Sequence, residues 1–393
     1  MRTTAMTYFF LWVASSCIPE ICLGFRTSSN IKASRKHLYA ASELAAGKGF
    51  GTNKQESVKK KKSSEEDVFQ SLLRDLQIQN VPLLECDANS VETYMGATFT
   101  TMAELSDNMD ASKVCLIFEK IPQTALVAFA NDVATLKMTP RLMTYLPELE
   151  RFHVEVLGNG KYSGMSALVI ETTSAQAQLP QLEQQASAEQ SLQAMQSFVQ
   201  RLVVIESMCP HTHDIHRAPE GLRGISPGTV GYRYGGSADA LHALASFWTC
   251  ICELQGSPEI STVVLSLPCI GKEDHDRFAT VVEIISRYLC LFRGDALFGL
   301  VHFHPLYDRN LIFPPDAPAY GHLPPRNWLR PMIRLNKNDL EAETLTDEQL
   351  ALSDYQRRSP HTAINILRTN QIAAAAGKNS IVNLELENGD KVR

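Results

Sequence analysis

Three short apolar runs alternate with segments of helical periodicity between residues 191 and 376, and this alternation constrains the fold more than any other feature. The runs cover 229–234, 260–267 and 297–304. Apolar residues at helical spacing fill the stretches before, between and after them. Helices that alternate with strands predict a layered α/β fold, and we expect a ferredoxin-like two-layer sandwich.

Polar residues at the ends of the runs predict where helices begin. Ser237 is a typical N-cap for the helix after the first strand, and Asp274 or Asp276 is one for the helix after the second. Ser359 and Pro360 suit the N-cap and the first helical position, so we expect a last helix from there to about residue 376.

A second, smaller α/β module is predicted before this domain, because helical and strand-like patterns also alternate there. No internal sequence repeat is evident. We expect a signal peptide at 1–24, a transit-like segment and linker at 25–62, a small α/β module at 66–173, a Gln- and Ala-rich linker at 174–190, the larger α/β domain at 191–376 and a tail at 377–393.

Charge is distributed unevenly along the chain. Residues 1–62 hold eleven basic and three acidic residues, so the net charge of −6 divides into +8 for this segment and −14 for the rest. An acidic body lacks the positive surface with which proteins bind phosphate backbones, so we expect no nucleic-acid partner.

The first 62 residues are typical of a targeting sequence. An apolar run at 6–14, after Arg2, has the length of a signal peptide and is too short to cross a bilayer. Phe25 then opens a basic, hydroxyl-rich segment that resembles the bipartite plastid presequences of algae with secondary plastids. We expect the protein to be located in the plastid stroma, with the secretory pathway as the alternative. We expect no membrane span in the mature chain.

The nine cysteines do not form a disulfide framework. Two lie in the targeting segment, and the other seven are irregularly spaced and mostly surrounded by apolar residues. We therefore expect reduced thiols in the core. Cys209 is the exception, because a proline and three histidines follow it.

Cys209 begins the first of three motifs whose side chains are suited to catalysis or ligand binding. Pro210 ends the preceding helix, so the thiol lies at a fixed corner, where it can act as a nucleophile or a metal ligand. His211 and His213 are further possible metal ligands. One hypothesis is therefore that Cys209, one of these histidines and His304 bind zinc. The spacing matches no standard zinc module.

The second motif ends the third strand. His302 and His304 point to one face, because side chains alternate along a strand, and Pro305 ends the pairing. His304 therefore lies at the carboxyl end of its strand, where α/β sheets bind ligands, and we expect it to act in acid–base chemistry or ligand binding. Two half-buried histidines bonded to backbone carbonyls are the alternative.

The third motif, Arg357-Arg358-Ser359-Pro360-His361, opens the predicted last helix. A helix N-terminus offers unbonded N–H groups, and Arg358 adds a bidentate donor, so we expect a small-anion site here. An ordinary capped helix with a solvated arginine is the alternative.

The three motifs occur in a fixed order, which is Cys209-Pro210, then Phe303-His304-Pro305 with Tyr307, then Arg358-Ser359-Pro360 followed by Leu367-Arg368. In this order they resemble the mainly bacterial domain-of-unknown-function 1415 family over about residues 195–372. The resemblance implies that Cys209, His304, Tyr307, Arg358 and Ser359 belong to one site, and it implies no known reaction. His211, Arg357, Thr362 and the long loop after Tyr307 depart from the family pattern.

Three hypotheses follow from the motifs. The first is a site for a small anionic molecule, and the second is a non-catalytic binding or assembly module that contacts a protein partner through the 308–357 loop. The third is a zinc protein with hydrolytic chemistry. The sequence leaves open whether the protein is an enzyme. The site residues expected under the first hypothesis are Cys209, His304 and Arg358 for catalysis and Tyr307, Ser359 and His361 for ligand binding.

Overall fold

The computed structural model describes residues 67–376, apart from residues 80, 87, 89, 108–111, 119, 158–164, 173–186, 207–210, 219, 223, 309–329 and 332–343. Two compact units are formed, one from residues 67–143 and 147–172, the other from residues 187–376 and Thr144–Leu146. Both contain helices and a mixed sheet, so the predicted α/β class is confirmed. The targeting segment, Cys209, most of the 308–357 loop and the tail lie outside the described residues.

The first sheet has four strands in the order β1-β2-β4-β3. Strands β1 and β2 are parallel, and β4 runs antiparallel to both of its neighbours. Its elements are α1 (67–78), β1 (Leu83–Cys86), α2 (Val91–Asp107), β2 (Lys113–Phe118), α3 (Gln123–Lys137), α4 (Pro140–Tyr145), a 3₁₀ turn (Pro147–Arg151), β3 (Phe152–Leu157) and β4 (Ala167–Thr172).

The second sheet has five strands in the order β5-β6-β7-β9-β8. Its elements are α5 (Ala188–Phe198), a π-helix (Val199–Ile205), β5 (Arg217–Ala218), β6 (Gly228–Tyr234), α6 (Ala240–Gly256), β7 (Ile260–Ser266), α7 (His275–Leu291), a 3₁₀ turn (Gly294–Ala296), β8 (Phe298–Phe303), α8 (Asp347–Leu352), a 3₁₀ turn (Ser353–Arg357), β9 (Ala363–Arg368) and α9 (Thr369–Ala376).

The strand connectivity of the C-terminal unit differs from that of a ferredoxin-like sandwich. Strands β6, β7 and β8 are mutually parallel, and β9 lies antiparallel between β7 and β8. This gives the order βαβαββ instead of the βαββαβ of ferredoxin-like folds. Right-handed crossovers place α6 and α7 on one face, whereas α5 packs on the other through Phe198, whose ring lies 5.6 Å from that of Phe303. The unit therefore has three layers, and the expected two-layer sandwich is wrong.

The two units share one topology, which the sequence did not reveal. Apart from the two-residue β5 of the second unit, each begins with a helix, continues as βαβαββ, and inserts its last strand antiparallel between the second and third strands of that series. The leading helices also pack alike, since α1 covers a sheet face that includes Ala167, the first residue of β4, and α5 covers a face that includes Ala363, the first residue of β9. The chain thus contains the same fold twice.

The predicted last helix is wrong over its first half. The segment Ala363–Arg368 is strand β9, and the helix begins only at Thr369. Ile364 and Ile366 are fully buried, and the strand pairs with both β7 and β8, so pairing on two sides outweighs any helical preference.

Helix caps were predicted with mixed success. Asp274 caps α7, as expected, by accepting a hydrogen bond from the N–H of Arg277. The N-cap of α6 is Asp239 and not Ser237. Its carboxylate accepts from Leu241 N–H at 2.8 Å, whereas the Ser237 hydroxyl accepts from the N–H of Asp239 one step earlier.

Candidate functional site

The ends of three parallel strands and the start of β9 meet at one edge of the C-terminal sheet, which we call the carboxyl edge. Gly235, Leu267 and His304 follow β6, β7 and β8 there. Main-chain bonds join the strand ends, because Gly235 N–H donates to Ser266 O at 2.8 Å and Leu267 N–H donates to Thr362 O at 2.9 Å. Ligands of α/β proteins usually bind at such an edge.

His304 is a fully buried histidine whose two ring nitrogens bind the backbone. Its Nδ1 accepts a hydrogen bond from Leu306 N–H at 2.9 Å, so the ring proton is on Nε2, which donates to the carbonyl oxygen of Gly271 at 2.7 Å. Burial lowers the pKa of His304, so the ring is neutral at neutral pH. The ring ties the loop after β7 to the end of β8, and neither nitrogen can bind a ligand while both bonds persist.

The structure brings Tyr307 and Arg358 to His304. Tyr307 N–H donates to His304 O at 3.1 Å, and Arg358 Nε donates to Tyr307 O at 3.1 Å. The Arg358 guanidinium also lies 4.5 Å from the centre of the Tyr355 ring. These contacts give His304 and Arg358 a clear part in holding the carboxyl edge together.

Ser359 does not begin a helix. With Pro360 it precedes β9, so the helix dipole that was expected to attract an anion does not exist at this place. The Ser359 hydroxyl donates instead to the main-chain oxygen of His361 at 2.5 Å, which fixes the approach to the strand.

Only part of the zinc hypothesis falls on described residues. Cys209 lies outside them, His211 Nδ1 is 3.3 Å from Glu220 O, and His213 is exposed. Across the ranges that the structure describes, no three His, Cys, Asp or Glu side chains are placed to hold a metal ion.

Several buried polar atoms at the carboxyl edge have no hydrogen-bond partner among the described residues. They include Oγ of Ser266, whose residue is 0% exposed, Nε2 of His361, whose residue is 5% exposed, and Nε2 of His275. The bond between Leu267 and Thr362 continues the β7–β9 ladder, so His361 lies diagonal to Ser266. Diagonal neighbours in an antiparallel pair are about 7–8 Å apart. Buried polar groups normally have partners, so each of these atoms needs a physical explanation.

Lys272 supplies a positive charge near His361. It is exposed on the loop after β7, and its charge adds to the larger effect of burial in lowering the pKa of His361 to about 4. Burial raises the pKa of the neighbouring Cys269 thiol, and Lys272 opposes that rise. At neutral pH the His361 ring is therefore an uncharged donor and acceptor beside a cation.

Further histidines lie on the α7 face of the sheet. The ring of His275 is 4.4 Å from that of His304, and the ring of His302 is 6.4 Å from that of Phe278. Burial and then His304 lower the pKa of His275 to about 4, while burial and then Arg357 hold the pKa of His302 well below its usual value. A general base works best with a pKa near the working pH, so these rings are weak proton acceptors.

Sequence reasoning identified His361 but missed Ser266, Lys272 and His275. The signal for Ser266 was present, because it is a hydroxyl residue at the end of a β-branched strand. The signals for Lys272 and His275 were weaker, since a loop lysine and a histidine in a first helical turn are both common on protein surfaces.

The Leu367-Arg368 part of the third motif has a structural explanation. Arg368 ends β9, and its guanidinium donates to Ile260 O and Ser257 O, each at 3.1 Å, and to Leu254 O. The last two carbonyls belong to the end of α6, where a cation is favourable for the helix dipole. Arg368 thus joins β9 to the end of α6.

No family model, curated protein or solved structure matches this chain. The resemblance to the domain-of-unknown-function 1415 family therefore stays a prediction. In the described part of the chain, no helix combines the length and the apolar character that a membrane span requires.

Proposed function

We propose that the C-terminal unit binds a small anionic molecule at its carboxyl edge, between Ser266 and His361 and next to Lys272. The observation that carries the proposal is the pair of buried polar atoms without a partner among the described residues. A buried donor or acceptor left unsatisfied costs about 1–3 kcal/mol. Two such atoms, diagonal to each other at one sheet edge, favour a ligand that binds both.

The loops around this edge support the proposal. A Cβ atom at Gly235 would lie 2.7 Å from Cδ2 of Leu267, so a larger residue in the β6–α6 loop would displace the Leu267 side chain at the end of β7. The loop after β7 is held in turn by the bond between its Gly271 carbonyl and His304. A ligand at this edge would therefore meet loops whose positions are already fixed.

In this proposal His304 and Arg358 are positioning residues. Their side-chain donors bind the main chain of Gly271 and Tyr307, so they shape the site without touching the anion. The nucleophile predicted at Cys209 lies outside the described residues and stays a prediction.

A protein-binding module is the second candidate function, and exposed apolar side chains favour it. Leu306 is 58% exposed and Tyr355 is 49% exposed, and both lie on segments that flank the 308–357 loop or belong to it. Large apolar side chains that remain exposed are common at protein interfaces. Leu306→Ser should abolish capture of a protein partner while anion binding stays unchanged. Unchanged capture would count against this candidate.

Removal of the Lys272 charge tests anion binding. We expect Lys272→Ala to weaken sulfate binding about tenfold, because it removes the cation whose charge acts on the His361 ring. Isothermal titration calorimetry measures the change. Lys120→Ala is the matched control, because Lys120 is also exposed, lies on the loop after the second strand of its unit, and precedes α3 as Lys272 precedes α7. Equal loss in both variants would indicate non-specific attraction and contradict the proposal.

We also propose that the protein acts in the plastid stroma, on the basis of the presequence-like residues 1–62. A fluorescent protein fused to these residues should accumulate in the plastid of an alga with a secondary plastid. The Phe25→Ala variant should stop outside the plastid. Secretion of the unmodified fusion would support the secretory pathway instead.

A further inference from the structure

We infer that the ligand of the carboxyl edge carries a dianionic group of the phosphoryl or sulfate type, and that His361 takes up one proton as this group binds. The inference rests on the proposed function and specifies the class of ligand. It follows from the burial of His361, from the absence of a partner for its Nε2 in the described part of the chain, and from the position of Lys272.

The backbone around His361 is fixed while its ring remains available. The Ser359 hydroxyl binds the His361 carbonyl, and the next residue, Thr362, accepts from Leu267 N–H and donates through its hydroxyl to Leu267 O. The ring therefore has a defined position, and its Nε2 has no partner among the described residues. Ser266 is the diagonal neighbour of His361, at about 7–8 Å, so a group of this size placed between the two residues would meet both.

Titratable and charged side chains lie on several segments near His361. The loop after β7 carries Cys269, Lys272, Glu273 and Asp274, the end of β6 carries Tyr234, and the segments after β8 and before β9 carry His304, Asp308, Arg357 and Arg358. Of these, Lys272 has a resolved effect on the ring, and it disfavours the protonated form. Burial has the larger effect in the same direction, so the His361 ring is a neutral imidazole under the influence of the Lys272 charge.

An anion reverses this balance. A negative charge within about 4–6 Å raises the pKa of a neighbouring histidine by about 1–3 units. From about 4, such a rise brings the pKa of His361 to about 5–7, so in mildly acidic solution the ring takes up part of one proton from solvent, and its imidazolium form has two N–H donors. Two positive charges, on His361 and Lys272, then face the ligand. A dianion neutralises both, whereas a carboxylate leaves one uncompensated, so the site should prefer the dianion.

Sulfate is a suitable probe because it stays doubly charged from mildly acidic to alkaline pH. We expect calorimetry to give tighter sulfate binding at about pH 6 than at about pH 8, by up to about tenfold. Titrations in buffers with different ionisation enthalpies should show uptake of a fraction of a proton at the lower pH and none at the higher. Acetate should bind more weakly than sulfate at both.

Two variants separate the roles of the residues. His361→Gln keeps a hydrogen-bond donor but cannot be charged, so its sulfate binding should no longer depend on pH. Lys272→Ala, at an exposed position that does not threaten folding, should weaken binding at both pH values and keep the pH dependence. Tighter binding of methyl phosphate than of sulfate would identify a phosphate ester as the ligand, and equal binding a free oxyanion; both support the dianion class.

The two proposals can fail separately. Sulfate binding that is equal at both pH values, or that stays pH-dependent in His361→Gln, would overturn the proton uptake and leave anion binding intact. Failure of every anion to bind at either pH would overturn both.

Discussion

Replacement of His304 by alanine should lower the free energy of unfolding of the C-terminal unit by about 3–5 kcal/mol. The substitution leaves the carbonyl of Gly271 and the N–H of Leu306 without their partner, and it opens a cavity at a fully buried position. Urea unfolding followed by tryptophan fluorescence measures the loss, since Trp248 is buried in α6 of the same unit.

His304→Asn is the matched control for this prediction. The asparagine side-chain oxygen can accept from the N–H two residues ahead, as Nδ1 of His304 does from Leu306, but it cannot reach Gly271. We expect this variant to recover about half of the stability. If His304→Ala unfolds at the same urea concentration as the unmodified protein, the positioning role of His304 is wrong.

Stability should also fall steeply in mild acid, and His361 should account for a defined share. Burial and Lys272 lower its pKa to about 4 in the folded protein, from about 6.5 in the unfolded chain. Between these two pKa values the His361 side chain is protonated in the unfolded chain and neutral in the folded protein. The contribution is complete above about pH 6.5 and is lost as the pH falls towards 4, by about 2–3 kcal/mol at about pH 4.5.

The share that belongs to His361 can be isolated with His361→Gln. Carboxylates titrate in the same range, but they do so equally in both proteins. The fall in unfolding free energy between about pH 7.5 and 4.5 should therefore be about 2–3 kcal/mol smaller in the variant. Identical falls in the two proteins would show that the ring is not buried as a neutral group.

The elements with strong local signals were predictable from the sequence. Strand β7 follows from a β-branched run, and α7 follows from Asp274 at its start. Strand β9 was not predictable, because the sequence AINILR suits a strand or a helix, and only pairing with β7 and β8 decides between them. Local sequence pattern does not predict the secondary structure of a segment when pairing with strands distant in the chain determines it.

The repeated fold was also hidden from the sequence. Topology depends on the order and pairing of elements, and many different residues can satisfy the same pattern. Cys115 and Ile117 pack beneath α1 in the first unit, whereas Val264 and Phe303 pack beneath α5 in the second. Both faces are apolar, but the two units use different apolar residues there, so the amino-acid sequence shows no repeat.

The candidate site was predictable in place but not in chemistry. The sequence assigned His304 to catalysis and His361 to ligand binding, and the structure places the first at the carboxyl edge and the second just before the adjoining strand. It could not show that Gly271 and Leu306 occupy the ring nitrogens of His304. Nor could it show that Nε2 of His361 is buried beside Lys272, because these facts depend on loops that meet only in the folded chain.

The most direct test of anion binding at the carboxyl edge is NMR of the histidine ring nitrogens during a sulfate titration near pH 6. The His361 signals are assigned by their loss in His361→Gln. We predict that Nε2 of His361 shifts with a saturable response while both nitrogens of His304 keep their positions. A protein that binds sulfate while the His361 signals stay unchanged would contradict the site proposed here.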